Sequence, residues 1–312
     1  MLSSIFNFKK LDYPKAIFLL LISIVFYLIL LESITFFGMK TVNKTAKRMH
    51  EDYRKVLQID HNRGDQKPPL LLVGNSLLLL GVDRNKLTDG LSSKYTITFW
   101  PIENTGYLDW YFGLRRIFAE GSRPSYVILC LSMSQLTSKS LNSENFAYYM
   151  MDLNDLFLVK QAADLNVNTV GNYFFANFSS WLGNRWGIRN WIMEAWLPNA
   201  DLLAKAFIPR AAQNIKRDDN LLLELSKTRL QALLDLCKAH RAKFLFLIPP
   251  TLNKGSSLEA TIAAARQANI PVLVPYSPGE LSKDHFSDGF HLNQKGALVF
   301  TQRLTSVLKE ID

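Results

Sequence analysis

From residue 68 onward, short apolar runs alternate with longer helix-like stretches, and this alternation constrains the fold more than any other feature of the chain. The runs at 70–74 (LLLVG), 95–100 (YTITFW), 125–132 (SYVILCLS), 243–249 (KFLFLIP) and 270–275 (IPVLVP) have the length and composition of strands. The run at 125–132 is continuously apolar, as in a strand buried on both faces. Helical stretches fall at 106–120, 220–241, 257–268 and 294–309. A strand separated from the next by a helix pairs with it in parallel, so the pattern predicts a doubly wound α/β domain over 68–312. Its expected core is a flavodoxin-like parallel sheet of five strands.

Residues 133–218 interrupt the alternation. This insertion carries four of the six tryptophans, Trp181, Trp186, Trp191 and Trp196, at a spacing of five that fits neither a helix face nor a strand face. Two readings stand side by side. The tryptophans pack a helical subdomain, or they form a lid or platform over a site, since long insertions into compact α/β folds are often functional.

The segment 16–39 (AIFLLLISIVFYLILLESITFFGM) contains a single charge, Glu32. As a helix it spans about 36 Å, and roughly 20 residues suffice for a bilayer core. A cleaved signal peptide would have a shorter apolar region followed by small residues, and Phe36, Phe37 and Met39 offer no such site. The expectation is therefore a short tail (1–15), an uncleaved transmembrane anchor (16–39) and a charged juxtamembrane helix or linker (40–67). The break HNRGDQKPP at 61–69 punctuates its end. Lys9, Lys10 and Lys15 precede the span, while Lys40, Lys44, Lys47, Arg48, Arg54 and Lys55 follow it. Flanking charge alone thus leaves the orientation open.

The net charge of +9 fits a basic surface near anionic headgroups, and no basic, aromatic-interleaved nucleic-acid module is present. Cys130 falls in a core strand and Cys237 in an amphipathic helix, which predicts buried free thiols. No Cys/His spacing of a metal site occurs, and neither a metal nor another cofactor is expected.

The chemistry sits at the two ends of the α/β region. Gly74-Asn75-Ser76 follows the first strand, and Asp288-Gly289-Phe290-His291 precedes the last helix. Ligands of parallel α/β sheets sit beyond the carboxyl ends of the strands, so Ser76 is expected at the functional edge, amid backbone N–H groups able to hold an oxyanion. Asp288 precedes His291 by three residues, so one loop supplies both a base and its orienting carboxylate for a serine nucleophile. Asp284-His285 is a nearby decoy, ranked below because His291 directly precedes the terminal helix.

On these motifs the chain resembles the SGNH (GDSL-type) hydrolase superfamily over roughly 68–312. It is most similar to the membrane-anchored bacterial members that act in O-acylation of cell-envelope polysaccharides. Gly74-Asn75-Ser76 matches the first block, with Asn75 where many members carry aspartate, and the resemblance makes Ser76 the nucleophile. Asp288-x-x-His291 matches the last block. Gly106, in ENTGYLDW, aligns with the oxyanion-hole glycine of the second block. The third block departs: Leu131-Ser132-Met133-Ser134-Gln135 stands where the family usually has Gly-x-Asn-Asp. Ser132, Ser134 or Gln135 then has to replace the missing asparagine donor.

The resemblance implies an extracytoplasmic catalytic domain and a serine esterase or O-acyltransferase. Its substrate is an acyl ester, in the first instance acetyl, of an envelope polysaccharide or lipid-linked glycan. A multi-spanning membrane acyltransferase is an implied partner. The alternative is a catalytically inactive protein of the same fold that binds carbohydrate or partners such an acyltransferase.

Overall fold

The computed structural model describes residues 13–42, 44–60, 67–196, 219–252 and 257–311. Lys9 and Lys10, the break at 61–66, the side chain of Trp186 and the last part of the insertion (197–218) lie outside the described residues.

Five strands form one sheet: β1 (Pro69–Gly74), β2 (Thr96–Pro101), β3 (Tyr126–Cys130), β4 (Lys243–Leu247) and β5 (Val272–Leu273). Their order is β2-β1-β3-β4-β5 and every pairing is parallel. The architecture is thus the α/β, five-stranded parallel sheet that the alternation predicts. β5 is the one short strand, two residues where the sequence pattern spans six.

Both faces of the sheet are covered, and the two-residue period of the strands sorts their side chains between two cores. Leu71, Val73, Val127, Leu129, Phe244 and Phe246 point to one core. Leu70, Leu72, Ile128, Cys130, Leu245 and Leu247 point to the other. The first core is closed by α2 (Lys44–Leu57) through Met49 and Val56, and by α5 (Tyr107–Ala119) through Trp110 and Leu114. Two later helices complete it, α11 (Asp219–Ala239) through Leu230 and Leu233 and α12 (Ser257–Gln267) through Ala264 and Ala265. The second core is closed by α3 (Ser76–Gly81), α4 (Arg84–Leu91) and α13 (Gln294–Lys309), which contribute Leu78, Leu87 and Phe300. Both cysteines are free and buried.

α2 is part of the α/β domain itself. Its residues Ala46, Met49, Asp52 and Val56 are buried, and the Asp52 carboxylate takes a bidentate pair from Arg84 at 3.1 Å on each oxygen. Trp100 of β2 and Trp110 of α5 are fully buried and meet edge to face at 5.2 Å.

N-terminal to α2, α1 (Tyr13–Val42) is a single helix. Among the described residues it is the one helix long and apolar enough to cross a membrane, over Tyr13–Gly38. Its side chains are exposed almost throughout, from Ile17 at 57% to Phe37 at 68%. Between β3 and β4 the described insertion consists of α6 (Met133–Thr137), α7 (Ser143–Tyr149), α8 (Leu156–Ala163), α9 (Val167–Phe178) and α10 (Ser180–Trp196). Phe146, Met150 and Tyr173 pack it onto the first core, yet Trp191 and Trp196 are exposed. For these two tryptophans the reading as subdomain packing is not met.

Candidate active site

The strand order reverses at β1, which lies between β2 and β3, and a doubly wound sheet opens its ligand crevice at such a switch point. β1 ends there at Gly74. An added Cβ at Gly74 would lie 2.6 Å from the Cys130 carbonyl oxygen, so only glycine lets β1 and β3 pair this far. Gly74→Ala is expected to cost about 1–3 kcal/mol by forcing the two strands apart, and a lowered thermal midpoint of the full chain checks it.

Asn75 follows, fully buried, and its amide works in two directions. Its Oδ1 accepts from the Leu77 N–H at 2.9 Å and so caps α3, while its Nδ2 donates to the Thr105 carbonyl at 3.1 Å. The second bond ties the β1 and β2 loops together, and an aspartate at this position has no proton to make it. Ser76 is then the first residue of α3, partly open to solvent.

The last-helix loop meets it from the other end of the chain. Ser76 Oγ lies 2.9 Å from His291 Nε2, and His291 Nδ1 lies 2.7 Å from Asp288 Oδ2. Asp288 Oδ1 accepts from the backbone N–H groups of Phe290 (2.9 Å) and His291 (2.7 Å), which shapes the loop around the carboxylate. The turn needs φ of +81° at Gly289, a conformation glycine adopts without strain. Burial acts against the Asp288 charge, but the bonds from the His291 ring and the two backbone N–H groups outweigh it and hold the carboxyl down at about 2. The site is open: the Asp288 side chain is 54% exposed. The decoy is elsewhere engaged, with His285 Nδ1 at 2.9 Å from Ser282 Oγ and Asp284 paired with Lys295.

Gly106 requires a correction. Its N–H was expected to face an oxyanion, and instead it donates to Asp109 Oδ2 at 2.8 Å. The reason is electrostatic. Asp109 is 1% exposed, and its carboxylate draws in the two nearest backbone donors, Gly106 and Asn142, the latter at 2.8 Å. Burial still wins over these bonds and pushes the Asp109 carboxyl up to about 7. A carboxyl whose folded value lies above its unfolded one, ~4, binds its proton more tightly when folded. Its contribution to stability is therefore full below pH ~4 and is lost as pH rises toward 7, up to about 4 kcal/mol. Asp109→Asn is expected to flatten the dependence of the thermal midpoint on pH between 4 and 7, because asparagine does not titrate, while its NH₂ leaves one of the two backbone donors without an acceptor.

In the third block, Ser132 and Ser134 hydroxyls face each other at 3.1 Å, and Ser132 donates through both N and Oγ to Gln135 Oε1 at 2.9 Å. The Gln135 Nε2 keeps no partner among the described residues, and the Gln135 carbonyl oxygen lies 3.1 Å from where a Gly106 Cβ would stand. The unspent amide donor thus belongs to Gln135 rather than to either serine. Two supporting residues carry no sequence signal: Asp109, mid-pattern in YLDW, and Arg229, whose guanidinium reaches back from α11 to the carbonyls of Leu136 and Ser138 at 2.6 and 2.7 Å. Among the described residues no group of three or more His, Cys, Asp or Glu is placed to hold a metal ion.

No family model and no curated protein matches the chain. Solved structures similar to it include TesA, at 17% identity with 77% of this chain and 98% of that chain covered and a TM-score of 0.40. A GDSL-like lipase from Bacteroides thetaiotaomicron matches at 9% identity, 85% and 97% coverage and a TM-score of 0.40. An acetylxylan esterase from Geobacillus stearothermophilus matches at 10% identity, 78% and 95% coverage and a TM-score of 0.37. At these low identities and scores, function rests on the geometry of Ser76, His291 and Asp288.

Proposed function

We propose that the chain is a serine esterase or O-acyltransferase of the SGNH type, held at a membrane by α1 and acting on acyl esters of cell-envelope carbohydrate. The unbroken line from Ser76 Oγ through His291 to Asp288 carries the reading. His291 Nε2 takes the Ser76 proton as Oγ attacks the ester carbonyl, and Asp288 holds Nδ1–H and stabilises the imidazolium. His291 then returns the proton to the leaving alcohol oxygen, leaving acyl-Ser76. Water or a sugar hydroxyl, deprotonated by His291, attacks that ester and restores the serine. The Ser76 backbone N–H and the Gln135 amide are the donors for the oxyanion.

The substrate class rests on the motif resemblance and on the open, partly exposed triad, which suits a bulky glycan ester. An acetyl ester is the first candidate, with a lipid-linked glycan or polysaccharide as acceptor and a multi-spanning acyltransferase as membrane partner. The catalytic domain is assigned to the extracytoplasmic side.

The test is a fluorophosphonate probe on the full chain, followed by turnover of an acetyl ester with and without oligosaccharide acceptors. Covalent labelling at Ser76 is expected; a folded protein that stays unlabelled would sink the enzyme reading. Acetyl appearing on the acceptor supports transfer, while free acetate alone, whatever the acceptor, counts against it. One observation favours the inactive, carbohydrate-binding alternative: the Gly106 N–H is spent on Asp109.

A further inference from the structure

We propose that α9 lies along the membrane surface with its phenylalanine stripe in lipid, so that the bilayer is the partner of the insertion. The proposal rests on the reading of α1 as a membrane-spanning helix. Val167, Gly171, Phe174, Phe175 and Phe178 recur at the spacing of a single helix face. In a soluble domain such a stripe turns toward the core. Here it turns outward: Val167 is 74% exposed, Phe175 61% and Phe178 64%. The inward face is a different one, made of Tyr173 and Ala176, with the Asn177 amide fixed to the carbonyls of Ala147 and Met151. Phe174 touches both other phenylalanines with ring centroids 5.4 Å apart, so the three form one apolar patch.

What covers the patch follows from the residues next to it. α9 ends at Phe178, and the Glu32 carboxylate of α1 accepts from Ser179 Oγ at 2.8 Å, from the Trp181 N–H at 3.2 Å and from the Ser180 N–H. Glu32, the one charge in the apolar run, thus serves the otherwise unpaired N–H groups at the start of α10. Ala16 to Glu32 is about 24 Å along a helix, against a hydrocarbon core of about 30 Å. Glu32 therefore lies near the far edge of the hydrocarbon layer, and it holds Ser179 there. Phe178, one residue away, is at the same level, where aromatic side chains and in-plane amphipathic helices partition into lipid. Two separated contacts, one spanning and one lying flat, fix the height and facing of the Ser76 crevice over the lipid surface.

The experiment uses the full chain in vesicles of phosphatidylcholine and phosphatidylglycerol. Single cysteines Phe175→Cys, Val167→Cys, Phe26→Cys in α1 and Gln302→Cys on α13 each carry a bimane fluorophore. Cys130 and Cys237 are buried and stay unlabelled. Probes at 175, 167 and 26 are expected to be quenched by lipid-borne nitroxides at least threefold more than the probe at 302, and to be shielded from iodide. Iodide quenching at 175 and 167 equal to that at 302, with position 26 still in lipid, overturns the proposal and leaves the anchor intact. Loss of lipid quenching at 26 as well overturns both. Shielding of 175 and 167 from both quenchers overturns it in favour of a protein cover, a second copy or another chain.

Discussion

Replacing Ser76 by alanine is expected to lower ester turnover by about 10⁴–10⁶-fold, the largest single effect available in this chain. The substitution removes the Oγ that lies 2.9 Å from His291 Nε2 and nothing that holds the fold. α3 keeps its cap, because the Asn75 side chain and not Ser76 accepts from the Leu77 N–H. Thermal stability should therefore change by less than about 1 kcal/mol, and substrate affinity should stay close to that of the parent. Steady-state kinetics with matched melting curves check both halves. Residual turnover above about a tenth of the parent rate would mean that His291 activates water directly, and the acyl-serine route would be wrong.

The sheet was legible because β1, β3 and β4 are almost wholly buried apolar runs, and the later crossovers carry helix-length stretches. Helices cover both faces of β1, β3 and β4, so both side-chain faces had to be apolar. β5 lies at the edge, and only two of its six apolar-run residues pair. The Ser76, His291 and Asp288 positions followed from where strands end and the last helix begins. What escaped was set by tertiary contacts. α2 is dominated by charge, and its narrow face of Met49 and Val56 is hidden among lysines and arginines. Nothing in YLDW says that Asp109 will be sealed off and take the Gly106 N–H. The phenylalanines of α9 have the spacing of a core stripe, and periodicity alone does not distinguish a face turned to protein from one turned outward.

The Asp288–His291 loop holds its shape despite its exposure. Asp288 is open to water, yet its two oxygens divide the work: Oδ1 takes the Phe290 and His291 N–H groups, and Oδ2 takes the His291 ring. The loop conformation and the imidazole orientation thus have separate acceptors on one side chain.

That division makes Asp288→Asn the sharpest test of the dyad. Asparagine retains an Oδ1 for the two backbone donors, so the turn around Gly289 should persist. In place of Oδ2 it presents an NH₂, which can only donate to His291 Nδ1. The imidazole is then driven to the tautomer protonated at Nε2, and Nε2 can no longer take the Ser76 proton. Turnover is expected to fall by about 10²–10⁴-fold, short of the Ser76→Ala loss, because water at this exposed position competes for Nδ1. Fluorophosphonate labelling of Ser76 should slow in parallel while the melting temperature holds. In the parent the carboxyl stays ionised down to about pH 2, so Asp288 itself contributes no step to the rate profile between pH 4 and 9. A variant that keeps full turnover would show that the Asp288 contact orders the loop without setting the tautomer, and the base would then be His291 alone.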